Sequence, residues 1–570
     1  MTGTISERIW NAKYRWREGD VNRDLAIEDT WRRIARTLAG REKDGNRESE
    51  FYSVLENYAF LPGGRIQAGA GTHHRVTLFN CFVMGTIEDS LSGIFDSLKE
   101  GAITMQQGGG VGYDFSTLRP CGMPAKSVGM IASGPVSFMK IWDSMCGTIL
   151  STGARRGAMM ATLRCDHPDI LDFVEAKRDS SSLRHFNLSV LATDDFVQAV
   201  RTDREWPLVF GGKPVRHVKA AALWERIMRA AYDSAEPGII FIDRVRSADN
   251  LAYCETISAT NPCGEIPLPP YGACDLGSIN LTRFIESPFT EKASIDLAGI
   301  ARTAGIAVRM LDNVYDLSRF PLPKQRRIAK SSRRLGLGIT GLADALVMLN
   351  IHYGSVEARK TAETIMKAIK EAAYIASIEL ARERDPFPLF KPEYLKSEFV
   401  GSLPDEIRRD IAKYGIRNSH LTAIAPTGTI SLLADNISSG LEPIYALEYE
   451  RNIRQADGRL DAVRVSDYAF RLFREKTGEN APLPSAFVTA DAVSPEEQLL
   501  MQATLQQHVD NAISKTVNVP ECFDFASFAS LYDRAFELGL KGCTAFRPNP
   551  VTGQVLIEKP HCCSSEREPD

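Results

Sequence analysis

The chain holds little that would suit a membrane, an oxidising compartment or a polyanion. No apolar run reaches the ~18 residues that a membrane-spanning helix needs. Its 11 cysteines among 570 residues are scattered and odd in number, far below the density of a disulfide-stapled scaffold. No opening stretch reads as a secretory signal, so the expected location is a reducing cytoplasm. The 68 basic and 72 acidic side chains leave a formal net charge of −4, which gives no electrostatic footprint for nucleic acid or an anionic membrane surface. A phosphate-binding P-loop is missing too. The run Gly108-Gly109-Gly110-Val111-Gly112 lacks its lysine and Ser/Thr, and it precedes a strand where a dinucleotide fingerprint should open a helix. What remains is an ordinary globular composition, 44% hydrophobic and 25% charged, long enough for several domains or one large barrel with additions.

The first 60 residues read as charged and helical, with Trp10, Tyr14, Trp16, Leu25, Trp31, Ile34 and Leu38 on an intermittent apolar face. From Leu61 the texture changes: glycines punctuate a loop, and Val76 to Met84 reads as a buried strand. A helix over about 89–107 follows, capped by Asp89 or Ser90. The glycine cluster after it lets a backbone or ligand approach closely before the strand at Tyr113-Asp114-Phe115. Pro135 opens another helix, Asn187 to Val190 reads as a short buried strand, and Lys177 to His185 reads as a mobile surface loop between them. Helices dominate from about 290 to 420, where Leu335 to Leu342 supplies small residues for close packing. The alternation argues for an α/β fold.

Two loops carry chemistry. Asn261-Pro262-Cys263-Gly264-Glu265 sets a sulfur between an amide and a carboxylate, and Cys274 follows eleven positions after Cys263. Proline and glycine here disfavour a helix, and Pro267, Pro269, Pro270 and Gly272 keep the segment irregular. Taken singly, a cysteine is a small buried hydrophobe and Asn-Pro marks a turn; three functional groups on one loop of a long globular chain point to a site. The second loop, Pro426-Thr427-Gly428-Thr429-Ile430, follows the apolar stretch 421–424. It is either an anion site built from backbone N–H groups and two hydroxyls or a simple helix cap.

These motifs together, with the upstream Asn80-Cys81, resemble the catalytic chain of a ribonucleotide reductase, and most nearly the adenosylcobalamin-dependent class II branch. The resemblance spans about residues 50–555. It implies a ten-stranded α/β barrel with a catalytic finger loop, arranged as a helical segment over 1–60, the barrel over 61–545 and a flexible tail over 546–570 that carries a cysteine pair. Cys263 resembles the thiyl-radical cysteine that takes hydrogen from the ribose 3′ carbon. Glu265 would accept the 3′-hydroxyl proton, and Asn261 would orient substrate and glutamate. Cys81 and Cys274 resemble the pair that supplies reducing equivalents, and so must lie within about 7 Å between Cα atoms. Asn80 and Gly110 match positions lining the substrate pocket, and Pro426, Thr427, Gly428, Thr429 and Ile430 match the loop that grips substrate phosphates.

The implied function is reduction of ribonucleoside diphosphates to deoxyribonucleotides with adenosylcobalamin as cofactor. A class I large subunit would carry adjacent tyrosines where this chain reads Lys541 to Pro550, and the glycyl-radical class would lack Glu265. A class I-type large subunit dependent on a radical-generating partner, and a non-catalytic nucleotide-binding paralogue, stand as alternatives. No Asp-x-His-x-x-Gly signature for histidine ligation of cobalamin is present, a motif on which class II reductases do not rely. Two departures from the family stand out. Leu61 to Ile66 replaces the usual Asn-Ser-Pro-Thr, removing a hydroxyl contact to phosphate. Cys562 and Cys563 are adjacent, where a spaced pair is the common thiol shuttle; a vicinal disulfide is strained and easily reduced. Asp89, Ser90 and Arg184 match the region that senses effector nucleotides. The resemblance further implies ATP and dNTP effectors without an N-terminal ATP cone, a thioredoxin-like reductant, a homodimer, and no nucleic-acid or membrane partner.

Overall fold

Strands buried on both faces read as near-continuous apolar or small-residue runs, and five such runs form one half of a barrel. They are β1 (Cys81–Val83), β2 (Gly110–Asp114), β3 (Met159–Arg164), β4 (Phe186–Ala192) and β5 (Gly238–Phe241). Each pairs in parallel with the next. The structure, a computed structural model, describes residues 4–124, 131–151, 155–178, 182–454 and 460–549. The second half holds β6 (Ala273–Asn280), β7 (Leu335–Thr340), β8 (Thr516–Asn518) and β9 (Gly542–Phe546). β6 pairs in parallel with β7, and β8 with β9. Between these pairs runs the extended segment 421–424, bridged in parallel to Leu337 through Thr422 and to Ile513 through Ile424.

The halves meet antiparallel at both seams. β6 lies against β1 with Cys274 opposite Cys81, and β9 lies against β5 with Cys543 opposite Ile239. Ten extended segments therefore close into two opposed five-membered halves, as the α/β barrel expectation requires. A further short strand, Phe60–Pro62, runs antiparallel along the outer part of β6.

Helices cover the barrel. α1 (Ile5–Ile9), α2 (Ile27–Ala39) and α3 (Arg47–Glu56) make up the N-terminal segment, together with a π-helical turn over Trp10–Tyr14 and a small hairpin over 17–22. α2 buries Trp31, Ile34, Ala35 and Leu38, one apolar stripe at helical spacing. α4 (Gly64–Gly69), α5 (Leu91–Gln106), α6 (Pro135–Thr148), α7 (Leu297–Leu317) and α8 (Val356–Arg384) follow, with α7 packed between α8 and β6.

Several local expectations need correction. The strand expected over 76–84 shrinks to Cys81–Val83, because the preceding N–H groups find partners outside any sheet. Thr77 N donates to Gln107 O, Leu78 N to Ser318 Oγ and Phe79 N to Thr77 Oγ1. Ser90, and not Asp89, caps α5 by accepting from Gly93 N at 3.1 Å, while Asp89 pairs with Arg119 at 2.9 Å. The loop expected to be mobile over 177–185 is anchored at both ends. Buried Lys177 pairs with Glu236 at 2.8 Å, Leu183 is buried, and His185 N and Nδ1 both meet Asp143 Oδ1, at 2.8 and 3.1 Å; residues 179–181 lie outside the described residues. Leu335 to Thr340 is a strand inside the helix-dominated stretch, and its glycines do pack closely. A Cβ on Gly338 would fall 2.2 Å from Ala423 O.

Candidate active site

Residues 259–268 leave the wall between β5 and β6 and turn back as a hairpin, with Ala259 opposite Leu268 and Thr260 opposite Pro267. Asn261 closes the tip: its carbonyl accepts from Gly264 N at 3.1 Å, and its Oδ1 accepts from Ile266 N at 2.9 Å. Gly264 adopts φ +87°, a conformation open to glycine without strain. Asn187 Nδ2 on β4 donates to Pro262 O at 2.9 Å, and Ala512 N donates to Glu265 O at 2.9 Å, so both halves of the barrel hold the finger. The wall behind it lacks side chains for the same reason. A Cβ on Gly112 would lie 1.8 Å from Thr260 O, and one on Gly110 would lie 3.2 Å from Pro262 Cγ. The close approach expected of the glycine cluster is the approach of the protein's own finger.

Three thiols, a carboxylate and an amide meet at this finger. Cys81 and Cys274 face each other in register across the seam, where directly opposed Cα atoms stand about 4.5–5.5 Å apart, inside the range a disulfide requires. Asn261 Nδ2 donates to Cys81 Sγ at 3.2 Å, and Cys81 Sγ lies 3.9 Å from Glu265 Oε1. Cys274 Sγ donates to Asp275 O at 3.3 Å. Burial, reinforced by the Glu265 carboxylate, pushes the Cys81 thiol well above its ordinary range; burial and then Asp275 do the same for Cys274. Both therefore stay protonated at neutral pH, suited to donating hydrogen rather than to acting as thiolate nucleophiles. Cys263, on the tip between them and open space, is only half-buried.

That tip stands between two cavities. A small one of about 70 Å³ is lined by Cys81, Cys263, Asn261 and Glu265 together with Asn80, Gly110, Pro426, Thr427, Thr429 and Ile430. A large one of about 1730 Å³ shares Pro262, Cys263 and Pro426 with the first, and adds Gly428 and Arg184. The structure thus gathers almost all of the expected catalytic and substrate residues, with Cys274 directly behind Cys81. The 426–430 loop starts the short helix α9 (Gly428–Leu433), whose N-cap Thr427 sits in the left-handed region at φ +54°. Thr427 does not cap that helix. Its hydroxyl instead accepts from Gly440 N at 2.8 Å and meets Thr340 Oγ1 at 3.0 Å. The simple-cap reading of Thr427 is thereby excluded, since its side chain makes no cap hydrogen bond to the helix start. Asp89 and Ser90 lie at the start of α5, away from the finger; Cys562 and Cys563 lie outside the described residues. Sequence reasoning missed Tyr14, Arg65 and Ser278, which also line the small cavity. Arg65 follows a Gly-Gly pair that could have flagged it; Tyr14 carries no local signal.

One layer outward, Asp275 points away from the barrel interior. It is fully buried, and neither carboxyl oxygen finds a hydrogen-bond partner in another residue. Burial, and then the Asp312 charge, push its carboxyl well above the usual range. The folded chain therefore holds this proton more tightly than the unfolded chain does, so native stability falls as pH rises past the ordinary carboxylate range near ~3.9. We expect Asp275→Asn to be more stable than the parent by a margin that widens between pH 5 and pH 8, by up to about 1.4 kcal/mol per pH unit. Urea midpoints at a series of pH values check this; a margin independent of pH would show the carboxyl to be ionised in the fold.

Comparison with known proteins agrees with this geometry. The family description "Ribonucleotide reductase, barrel domain" matches residues 79–546, and "Ribonucleotide reductase, all-alpha domain" matches residues 1–75. A vitamin B12-dependent ribonucleoside-diphosphate reductase from Mycobacterium tuberculosis (strain CDC 1551 / Oshkosh) is 40% identical over 525 residues, covering 89% of this chain and 72% of the relative. A protein of the same name from Thermoplasma acidophilum is 36% identical over 558 residues, covering 94% and 70%. The ribonucleoside-diphosphate reductase subunit alpha of Chlamydia pneumoniae is 25% identical over 601 residues, covering 92% and 57%. With one family description spanning most of its length and the finger closing inside the barrel, the chain belongs to the ribonucleotide reductases.

Proposed function

We propose that the chain reduces ribonucleoside diphosphates to 2′-deoxyribonucleoside diphosphates by a thiyl-radical route that depends on adenosylcobalamin. One observation carries the reading: a half-buried thiol on a finger tip lines both a small cavity walled by the buried Cys81, whose in-register partner across the seam is Cys274, and a cavity large enough for a bulky cofactor. The B12-dependent reductases similar to this chain support the choice of cofactor.

The residues fit such a group. At about 1730 Å³ the large cavity exceeds the roughly 300–1,000 Å³ of ordinary small-molecule sites. Pro443, Tyr445, Ala492, Val493 and Pro520 on its wall would hold an extended macrocycle by apolar contact. When bound, adenosylcobalamin supplies the radical through homolysis of its cobalt–carbon bond.

The chain's own groups do the rest. Cys263 takes the 3′ hydrogen atom as a thiyl and returns it at the end. Glu265 accepts the proton of the 3′-hydroxyl, and Asn261, fixed through Ile266 N, keeps carboxylate and thiol in place. Cys81 and Cys274 give two electrons and two protons, the 2′-hydroxyl departs as water, and the two sulfurs end as a disulfide. Asn80, Gly110 and the 426–430 loop would receive ribose and phosphates.

Nucleotide effectors and an external reductant complete the cycle, a thioredoxin-like protein being the reductant we propose, with Cys562 and Cys563 as its shuttle. A homodimer through α5 is supported by Leu91 and Phe95, one turn apart and 66% and 50% exposed, beside the effector-sensing Asp89 and Ser90; Arg184 would relay effector identity to the base. Among the described residues no helix is long and apolar enough to cross a membrane. We place the enzyme in the cytoplasm.

The test is deoxycytidine diphosphate formation by the purified chain with cytidine diphosphate, a dithiol and effector nucleotides, with and without adenosylcobalamin. Turnover only with the cofactor is expected. Turnover that needs a second, radical-generating protein would favour the class I-type reading, and nucleotide binding without turnover would favour a silent paralogue.

A further inference from the structure

Segment 61–66 offers no side-chain hydroxyl toward the small cavity, yet a hydroxyl-bearing side chain joins its lining from elsewhere. Tyr14 ends the π-helical turn of the N-terminal segment, is 3% exposed, and lines the same cavity as Cys81, Cys263 and Glu265. Its ring lies over the Gly63-Gly64 turn: a Cβ on Gly64 would stand 3.3 Å from the phenolic oxygen. Arg65, the next residue, also lines the cavity. Its guanidinium rests on Gly108, where a Cβ would come within 2.7 Å of Cζ, so the glycine cluster makes room for a cation as well as for the finger.

Two contacts dock the segment that carries Tyr14 onto α9. Ser6 Oγ donates to Leu433 O at 2.5 Å at the far end of α9, and Ile9, Trp10 and Tyr14 share an apolar cluster with Ile430 and Leu433. A phenol and a guanidinium therefore stand with the Thr427–Ile430 loop, while Cys81, Asn261 and Glu265 form the ribose-directed group around the finger. π-helical turns are rare and recur at functional sites, and a planar guanidinium is the side chain best matched to phosphate.

We infer that Tyr14 and Arg65 bind the terminal phosphate of the substrate, and that the Tyr14 ring closes this end of the site so that a diphosphate is preferred over a triphosphate. The inference rests on the proposed ribonucleotide substrate. It makes the N-terminal helical segment part of the active site: Tyr14 supplies the hydroxyl that the 61–66 segment lacks.

Equilibrium binding of cytidine diphosphate and of cytidine to the full chain, the Tyr14→Phe variant and the Arg65→Gln variant tests it, alongside steady-state reduction of the di- and triphosphate. Loss of a hydrogen bond to a charged group should weaken diphosphate binding about 10- to 100-fold in each variant, with cytidine binding changed less than about twofold and the KM for the diphosphate raised in step. Arg65→Lys should recover part of the loss. Tyr14→Ala should raise the ratio of triphosphate to diphosphate kcat/KM. Diphosphate and cytidine binding weakened in parallel, or neither weakened, would overturn the inference and leave the proposed function standing. Failure of the parent chain to bind the diphosphate would overturn both.

Discussion

Cys263→Ala is expected to abolish deoxynucleotide formation, a fall of more than about four orders of magnitude, with folding and nucleotide binding preserved. The finger does not depend on the sulfur. Its tip is closed by Asn261 bonds to Gly264 N and Ile266 N, and its flanks are tied to Asn187 and Ala512. Alanine keeps the Cβ and leaves those bonds alone. What disappears is the only thiol on the finger and the only thiol that lines both cavities among the described residues, and neither Cys81 nor Cys274, both buried on the barrel wall, can take its place. The assay is product per chain against a no-enzyme blank, with thermal unfolding and diphosphate binding measured on the same preparation. Residual turnover above about one per cent would assign the hydrogen-abstracting thiol elsewhere.

Cys81→Ser and Cys274→Ser form the second strong prediction. Pre-reduced parent enzyme given no external dithiol should produce up to two deoxynucleotides per chain, one from Cys81 and Cys274 and one from the Cys562–Cys563 shuttle, and stop, with Cys81 and Cys274 recovered as a linked peptide pair on non-reducing digestion. Each serine variant should form less than about one per cent of that product, because the step needs two thiols in bonding range and serine cannot complete the disulfide. The register supports this: residues opposed across an antiparallel ladder are close enough to be bridged without backbone movement. A linked pair that included Cys263 or Cys543 instead would refute the assignment.

How far the sequence foretold this depended on the range over which each signal acts. The finger was legible because proline and glycine at 262, 264, 267, 269, 270 and 272 forbid regular structure over one short stretch. The pairing of Cys81 with Cys274 was not legible from spacing, because it arises only when β6 returns antiparallel to β1; the resemblance alone supplied it. The apolar run 76–84 predicts a longer strand than forms because it says nothing of where its N–H groups bond, and they find Gln107, Ser318 and Thr77. Tyr14 falls on an apolar helical face of the sequence, and it is buried as that pattern predicts. Its hydroxyl edge gained a place in the site only through the docking of the N-terminal segment onto α9, a tertiary event without local signature.

The antiparallel seam has a mechanical consequence. Cys81 belongs to one half of the barrel and Cys274 to the other, and nearly two hundred residues of chain lie between them. A bond between those sulfurs is therefore a brace across the joint of two half-shells, and closing a loop of that length withdraws about 5 kcal/mol of freedom from the unfolded chain. Each catalytic cycle would fasten the two shells together and each reduction would release them, so the same pair of atoms that stores electrons also sets the rigidity of the vessel around the radical.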